Sequence, residues 1–314
     1  MIEDVDQRVL SHGHTDASLA ETVAALHRRL QAAGDRPDAT VRELLDLVDA
    51  LASFPFGRFL LQNRGWNGFW TDFVMTHPEQ GRSTGTALDG WPLTPLERQL
   101  LDTFPTVLAT QQRSRHFARI IQAHIRDNVR LASCPSGLMR DLLARDYRGR
   151  SGVTLIGIDI DEESLAAAAR LADAYGLARV ASFVCEDAWS LTADGAYDLL
   201  ASNGLSIYEP NDARVTDLYR AFGRALKPGG TLVTSFLTPP PTVDPASPWD
   251  MRRIDPVTLR LQRLVFVYVL DARFQCYRTP ATTEAQLRAA GFTDIALTWD
   301  EARVFPTVTA RKPV

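Results

Sequence analysis

The amino-acid sequence predicts an α/β protein: a doubly wound, mostly parallel sheet preceded by a helical region. Three observations carry this. Between Asn128 and Asp187 short apolar runs alternate with helical segments, the order that builds a parallel sheet with crossover helices. Each run stops at a turn or at an acid. Ahead of Asn128 the apolar residues repeat only at helical spacing.

Taken in order, Leu19, Val23, Leu26 and Leu30 form one stripe, and Val41, Leu44, Leu45, Val48 and Leu51 a second, with Pro37-Asp38 and Pro55 as punctuation. Gly81 to Pro92 reads as a loop rich in Gly, Ser and Thr. Thr94-Pro95-Leu96-Glu97 is a capping box with proline at the first helical position; Pro105 interrupts that helix before it continues to Ile125. Val129 to Ser133 is the first strand, broken by Cys134-Pro135-Ser136-Gly137, and Leu138 to Arg145 reads as a helix. Val153 to Ile158 is the second strand and ends on Asp159. The helix Glu162 to Tyr175 is closed by Gly176, and the third strand, Val180 to Val184, leads to Glu186-Asp187. Tyr197 to Ala201 and Gly230 to Leu237 are further strands. Thr238-Pro239-Pro240-Pro241-Thr242 stiffly opens an insertion that ends with a helix from Val257 to Asp271. A helix from Thr283 to Ala290, capped by Gly291, precedes two strands at about Ile295 to Trp299 and Val304 to Thr309. The expected domains are a helical lid or substrate region over 1–127 and a core over 128–314, with 238–280 as an insertion forming a lid, a pocket wall or equally a dimer surface.

With 314 residues, 45% of them hydrophobic and 23% charged, the chain has the balance of a soluble globular protein. Its net charge of −4 argues against nucleic acid as a partner. Lys227 and Lys312 are the only lysines, which reads as genome base-composition bias. Cys134, Cys185 and Cys276 have no metal-ligand spacing and cannot all pair, so a reducing, cytoplasmic compartment is expected. There is no apolar run of roughly 18 residues, so no bilayer span is expected. The N-terminus, Met1 to Asp6, is acidic and lacks a signal-peptide pattern. His12 and His14 read as loop residues and not as a metal site.

In doubly wound sheets ligands bind beyond the carboxyl ends of the strands. Asp159 falls 22 residues after Gly137, close to the spacing at which an acid meets a ribose. The chain thus offers a turn, an acid for a ribose and a second acid for a base. On these residues the segment from about Asn128 to Lys312 resembles the core of the class I S-adenosylmethionine-dependent methyltransferases. The resemblance implies a seven-stranded sheet ending in an antiparallel hairpin, S-adenosylmethionine as cofactor and S-adenosylhomocysteine as product. It implies that Ser133, Pro135 and Gly137, in Ser133 to Gly137, hold the methionine end. Asp159, with its neighbour Ile160, would take the ribose side, and Asp187, with Ala188, the adenine. Asn203 and Gly204, in Ser202-Asn203-Gly204-Leu205, would face the reactive methyl. Leu226 to Leu232 and Ala290 to Asp294 match further landmarks. The chain departs from the family where Leu131 stands near the position of an acid, and where Ser133 and Pro135 stand at common glycine positions.

Other candidates come with bland alternatives. Asp161 is the better N-cap of the helix that follows it. Asn63 to Trp70 crowds two tryptophans, two glycines, an arginine and two asparagines into eight residues. It is either a turn filling a core with aromatics or a lid, with Arg64 and Trp66 on the cofactor and Trp70 on the substrate. Tyr208 could orient or deprotonate an acceptor, and His77 is the histidine best placed in sequence to act as a base. His116 and His124 read as surface or interhelix residues. Tyr268 and Tyr277 are candidates for the acceptor pocket, Arg273 and Arg278 more simply solvated charges. The expected function is methyl transfer to a small organic acceptor through an O, N, S or C nucleophile. The alternatives are non-methylating chemistry on the same fold, such as cyclisation or decarboxylation, and a non-catalytic binding protein. No membrane partner is expected, and a homodimer is one expectation for the insertion.

Overall fold

The computed structural model describes residues 18–86 and 90–314. The acidic N-terminus, His12 and His14 lie outside the described residues, as do residues 87–89 of the loop read between Gly81 and Pro92. The chain divides into two compact units: Met1–Leu108 with Met251–Gln275, and Ala109–Asp250 with Cys276–Val314. This differs from an expected boundary at 127/128. The division falls inside the helix Pro105–His124, and the insertion is shared between the units.

The first unit is helical. Leu19–Ala33 starts at a capping box of Ser18 and Glu21, and Val41–Ala52 is capped by Thr40 and buries Leu44, Val48 and Leu51. Pro55–Asn63 ends at Arg64, whose left-handed backbone (φ 58°) turns the chain into Asn67, the N-cap of Gly68–Thr76. A short helix, Gly81–Thr84, occupies part of the expected loop. Thr94 and Glu97 form the expected capping box of Pro95–Thr103, and the next helix begins at Pro105. Residues 251–275 belong here because their apolar and cationic side chains find partners among these helices. Phe266 packs edge-to-face on Phe104, and Arg260 forms a fork with Glu43 at 2.8 Å. The expected helix from Val257 to Asp271 is α-helical over Pro256–Arg263 and continues as a π-helical turn over Leu264–Val269.

The second unit holds a seven-stranded sheet in the order β3-β2-β1-β4-β5-β7-β6. The strands are β1 (Arg130–Ser133), β2 (Thr154–Asp159), β3 (Ala181–Cys185), β4 (Tyr197–Ala201), β5 (Leu226–Ser235), β6 (Thr293–Thr298) and β7 (Thr307–Arg311). The first five are parallel, and β7 runs antiparallel to both β5 and β6. Helices cover both faces, so the central strands are apolar at successive positions. Ala132, Ile156, Leu200 and Leu232 pack to one side with Tyr219 and Phe222. Leu131, Leu155, Leu199 and Val233 pack to the other with Phe117, Ile121, Leu142 and Ala168.

Two elements differ from the expected ones. The helix read from Leu138 to Arg145 is confined to Arg140–Leu143, because Met139 before it is left-handed (φ 55°). The last strand begins at Thr307 and not at Val304. The buried carboxylate of Asp300 takes the amides of Ala302, Val304 and Phe305 at 3.2, 3.0 and 2.7 Å, offering the backbone a local alternative to the ladder.

Candidate active site

The parallel register lines up the strand ends. Ser133 lies opposite both Gly157 of β2 and Ala201 of β4, and Asp159 lies opposite Cys185 of β3. The carboxyl ends of β1 to β4 therefore line up along one side of the sheet, where α/β sheets bind ligands.

The turn after β1 is pinned on both sides. The Cys134 amide donates to the Ala201 carbonyl of β4 at 2.8 Å, and the Ser136 amide to the Ile158 carbonyl of β2 at 2.8 Å. The Cys134–Pro135 peptide is cis, and Gly137 has φ 48°, a conformation that suits glycine. Gly157 explains how the turn sits so close without the usual glycines. A β-carbon there would lie 2.9 Å from Met139 Sδ and 3.2 Å from Ser136 Oγ, so the close approach is granted by the neighbouring strand. Ser133 is buried, and its hydroxyl donates to Asp141 Oδ2 at 2.8 Å. Burial raises the Asp141 carboxyl to about 6, with the Ser133 hydroxyl and the Leu142 amide opposing the shift.

Asp159 is buried. Its Oδ2 accepts from the Gly137 amide at 2.8 Å and its Oδ1 from the Asp161 amide at 3.1 Å, so the acid braces the turn to which the sequence spacing tied it. Ile160, next in the chain, is 46% exposed, which gives the buried acid an apolar, accessible neighbour. Asp161 is the N-cap of Glu162–Ala174, accepting from the Glu163 amide. Asp187 follows β3 and accepts from the Trp189 amide at 3.1 Å, and Ala188 is buried. Beyond β4, Asn203 Oδ1 is buried with no hydrogen-bond partner, Gly204 has φ 72°, and a 3-10 turn, Leu205–Tyr208, brings in the half-buried Tyr208. Tyr277 belongs to the same unit. The adjacent Cys276 amide donates to the Ile207 carbonyl of that turn at 3.0 Å, and burial pushes the Tyr277 phenol up to about 12.

S-adenosylmethionine fits this donor and acceptor set. The ribose hydroxyls, the adenine amino group and the methionine ammonium are donors, and Asp159, Asp187 and the unpartnered Asn203 Oδ1 are acceptors at successive strand ends.

Other sequence candidates have different surroundings. Arg64 is not a free cation for a carboxylate ligand. Its guanidinium is paired with the Asp271 carboxylate and donates to the carbonyls of Leu270 and Asp271 at 3.2 and 2.9 Å. Trp66 packs on Phe56 and Phe274 at 5.9 and 5.7 Å, and Trp70 stacks on Phe56 at 4.9 Å, so the crowded segment builds an aromatic cluster of the helical unit. Tyr268 donates its hydroxyl to Asp38 at 3.0 Å, beneath the guanidinium of Arg36. The His77 ring, read as a candidate base, has no exposed surface, and its Nε2 lies 2.9 Å from Asp102, which also accepts from Arg82. Arg278 is not solvated. It is buried, paired with Asp212 at 2.8 Å, and donates to the carbonyls of Ser206 and Glu209, which holds the Leu205–Tyr208 turn in place. Arg113 was missed. It lies on the buried stripe Ala109, Arg113, Phe117, Ile121, and a charge at an apolar helical position was the available signal. Among the described residues no cluster of three or more His, Cys, Asp or Glu could hold a metal, and no helix is long and apolar enough to cross a membrane.

The strand order, the antiparallel C-terminal pair and the cofactor-shaped strand ends define the Rossmann-like methyltransferase fold. A family model described as a methyltransferase domain matches residues 132–230. A solved protein of Bordetella parapertussis, named a possible exported protein, shares 47% identity over 96% of this chain and 100% of its own, with a TM-score of 0.88. A proposed O-methyltransferase of Nostoc punctiforme is 16% identical over 78% of this chain and 70% of its own, with a TM-score of 0.48. The Burkholderia thailandensis 1,6-didemethyltoxoflavin-N1-methyltransferase, solved with S-adenosylhomocysteine, is 20% identical over 64% of this chain and 79% of its own, with a TM-score of 0.44. No curated protein matches the sequence. Residues 132–230 thus match a methyltransferase domain, within a sheet that has the strand order of the Rossmann-like methyltransferase fold.

Proposed function

We propose that this enzyme methylates a small organic molecule, with the cofactor along the ends of β1 to β4 and the acceptor beside the Leu205–Tyr208 turn. The observation that carries this is the row of acceptors at the strand ends, closed by a buried, unpartnered Asn203 Oδ1 next to Gly204. Ser133, Pro135 and Gly137 shape the turn for the methionine end. Asp159 takes the ribose hydroxyls while bracing that turn, and Ile160 and Ala188 give apolar contact to the adenine, whose amino group meets Asp187. Asn203 and Gly204 border the reacting centre. S-adenosylmethionine supplies a methyl group already activated on a sulfonium, so the chain's own task is to place a nucleophile about 3 Å away and in line. Tyr208 orients the acceptor and takes its proton where the nucleophile is weakly acidic. Tyr277 lines the acceptor side as a neutral hydroxyl, its phenol being held high by burial. The test is incubation of the protein with labelled cofactor and a small-molecule extract, with detection of S-adenosylhomocysteine and of a product heavier by one methyl. Cofactor binding with no methylated small molecule from any extract, but labelling of added protein or nucleic acid, would overturn the acceptor class.

A further inference from the structure

Arg113 is a charge without a counter-charge. The side chain is 3% exposed. Its Nη1 donates to the Ser235 hydroxyl at 3.2 Å, and the Phe305 ring centroid lies 4.1 Å from the guanidinium carbon. Nε has no partner, and no carboxylate among the described residues pairs with it. Burial lowers its affinity for the proton only to about 9, with Tyr208 acting in the opposite sense, so the guanidinium remains charged at neutral pH. A buried guanidinium with most of its five donors unused is costly in the absence of an anion.

Its position gives the cost a meaning. Ser235 ends β5, and Gly204 follows β4. A β-carbon on Gly204 would lie 2.8 Å from Arg113 Nη1 and 3.2 Å from Phe305, so only a residue without a side chain lets the guanidinium close against this loop. Asn203, with its unpartnered Oδ1, is the adjacent residue. The strands concerned are β4 and β5, whereas Asp159 and Asp187 follow β2 and β3, so Arg113 stands at the acceptor's end of the row.

We infer that Arg113 recognises a carboxylate on the methyl acceptor, at the ends of β4 and β5, so that the substrate class is a small organic acid. This rests on the methyl-transfer reading above. One guanidinium, whose neighbours are Ser235, Phe305 and Tyr208 and not a second cation, matches a single carboxylate in a two-pronged contact better than a phosphate. The test measures binding by calorimetry to protein saturated with S-adenosylhomocysteine. The probes are acetate, benzoate and indole-3-acetate, each against its neutral amide. The wild type binds at least one carboxylate about tenfold or more tightly than its amide, the scale of a charge-assisted contact. Arg113→Gln abolishes that preference and leaves the affinity for S-adenosylhomocysteine within about threefold. Arg113→Met serves the same comparison if the glutamine variant does not fold, as judged by circular dichroism. No preference in the wild type for any carboxylate overturns the inference, as does a preference that survives in the variants. Loss of S-adenosylhomocysteine affinity on replacing Arg113 also overturns it, by assigning the residue to the cofactor. Failure of the wild type to bind S-adenosylhomocysteine would instead overturn the methyl-transfer reading itself.

Discussion

Asp141 sets a pH limit on the turn that follows β1. It is half-buried beside Ser133, and desolvation raises its carboxyl from 3.8 to about 6. Between those values the native chain holds a proton that the unfolded chain has released, so stability falls as pH rises across that window. The favourable contribution is fully present below about pH 4 and is lost as pH climbs through 6. A shift of about two units corresponds to roughly 3 kcal/mol, an upper figure for a group with hydrogen bonds on both oxygens. Asp141→Asn keeps the shape and cannot ionise. Its stability relative to wild type should therefore improve by about 2–3 kcal/mol between pH 4 and pH 7.5. Any fixed cost of placing an amide against Ser133 cancels in that difference. Urea unfolding of both proteins at four pH values spanning the window measures it. Two stability curves that stay parallel from pH 4 to 7.5 would refute the account of Asp141 as a desolvated, reluctant anion.

Three further outcomes are expected. Trp66→Ala should lose about 2–3 kcal/mol of stability, below the cost of a fully buried aromatic because the indole is half-buried; unchanged melting with reduced turnover would contradict its packing role. Asp161→Ala should cost about 1 kcal/mol of stability through its helix cap and leave cofactor affinity alone, as read by melting and calorimetry together. Tyr208→Phe should lower kcat by about 10²-fold or more if the phenol moves a proton with S-adenosylmethionine affinity unaltered. A lowered affinity at normal kcat would make it a binding contact.

Most of the sheet was legible because each strand is a short apolar run that stops at a polar turn. The Asp159 to Gly137 spacing was legible for the same reason, and the structure joins the two by a hydrogen bond. Less legible were features set by contacts distant in sequence. Nothing local marks Gly157 as the glycine that lets the Ser136 turn approach. The eight residues from Asn63 read equally as lid or core, and only Phe56 and Phe274 beside Trp66 favour the core. His77 looked like an available base because sequence does not report the burial of its ring or the presence of Asp102. Arg113 lay on a visible apolar stripe, yet its missing counter-charge appears only when Ser235, Phe305 and Gly204 are brought around it. The strand beginning at Thr307 was misplaced by three residues because Asp300 captures the amides of Val304 and Phe305, which would otherwise extend it.

The central claim is that S-adenosylmethionine is held at the strand ends by Asp159, and calorimetric titration of wild type and Asp159→Ala with the cofactor tests it most directly. Melting curves without ligand separate loss of the bond to the Gly137 amide from loss of ligand contact. The account predicts that wild type binds with one site per chain and that the folded variant binds more weakly by about 1.5–3 kcal/mol, the scale of hydrogen bonds to a charged group. Equal affinity in the two proteins would contradict it.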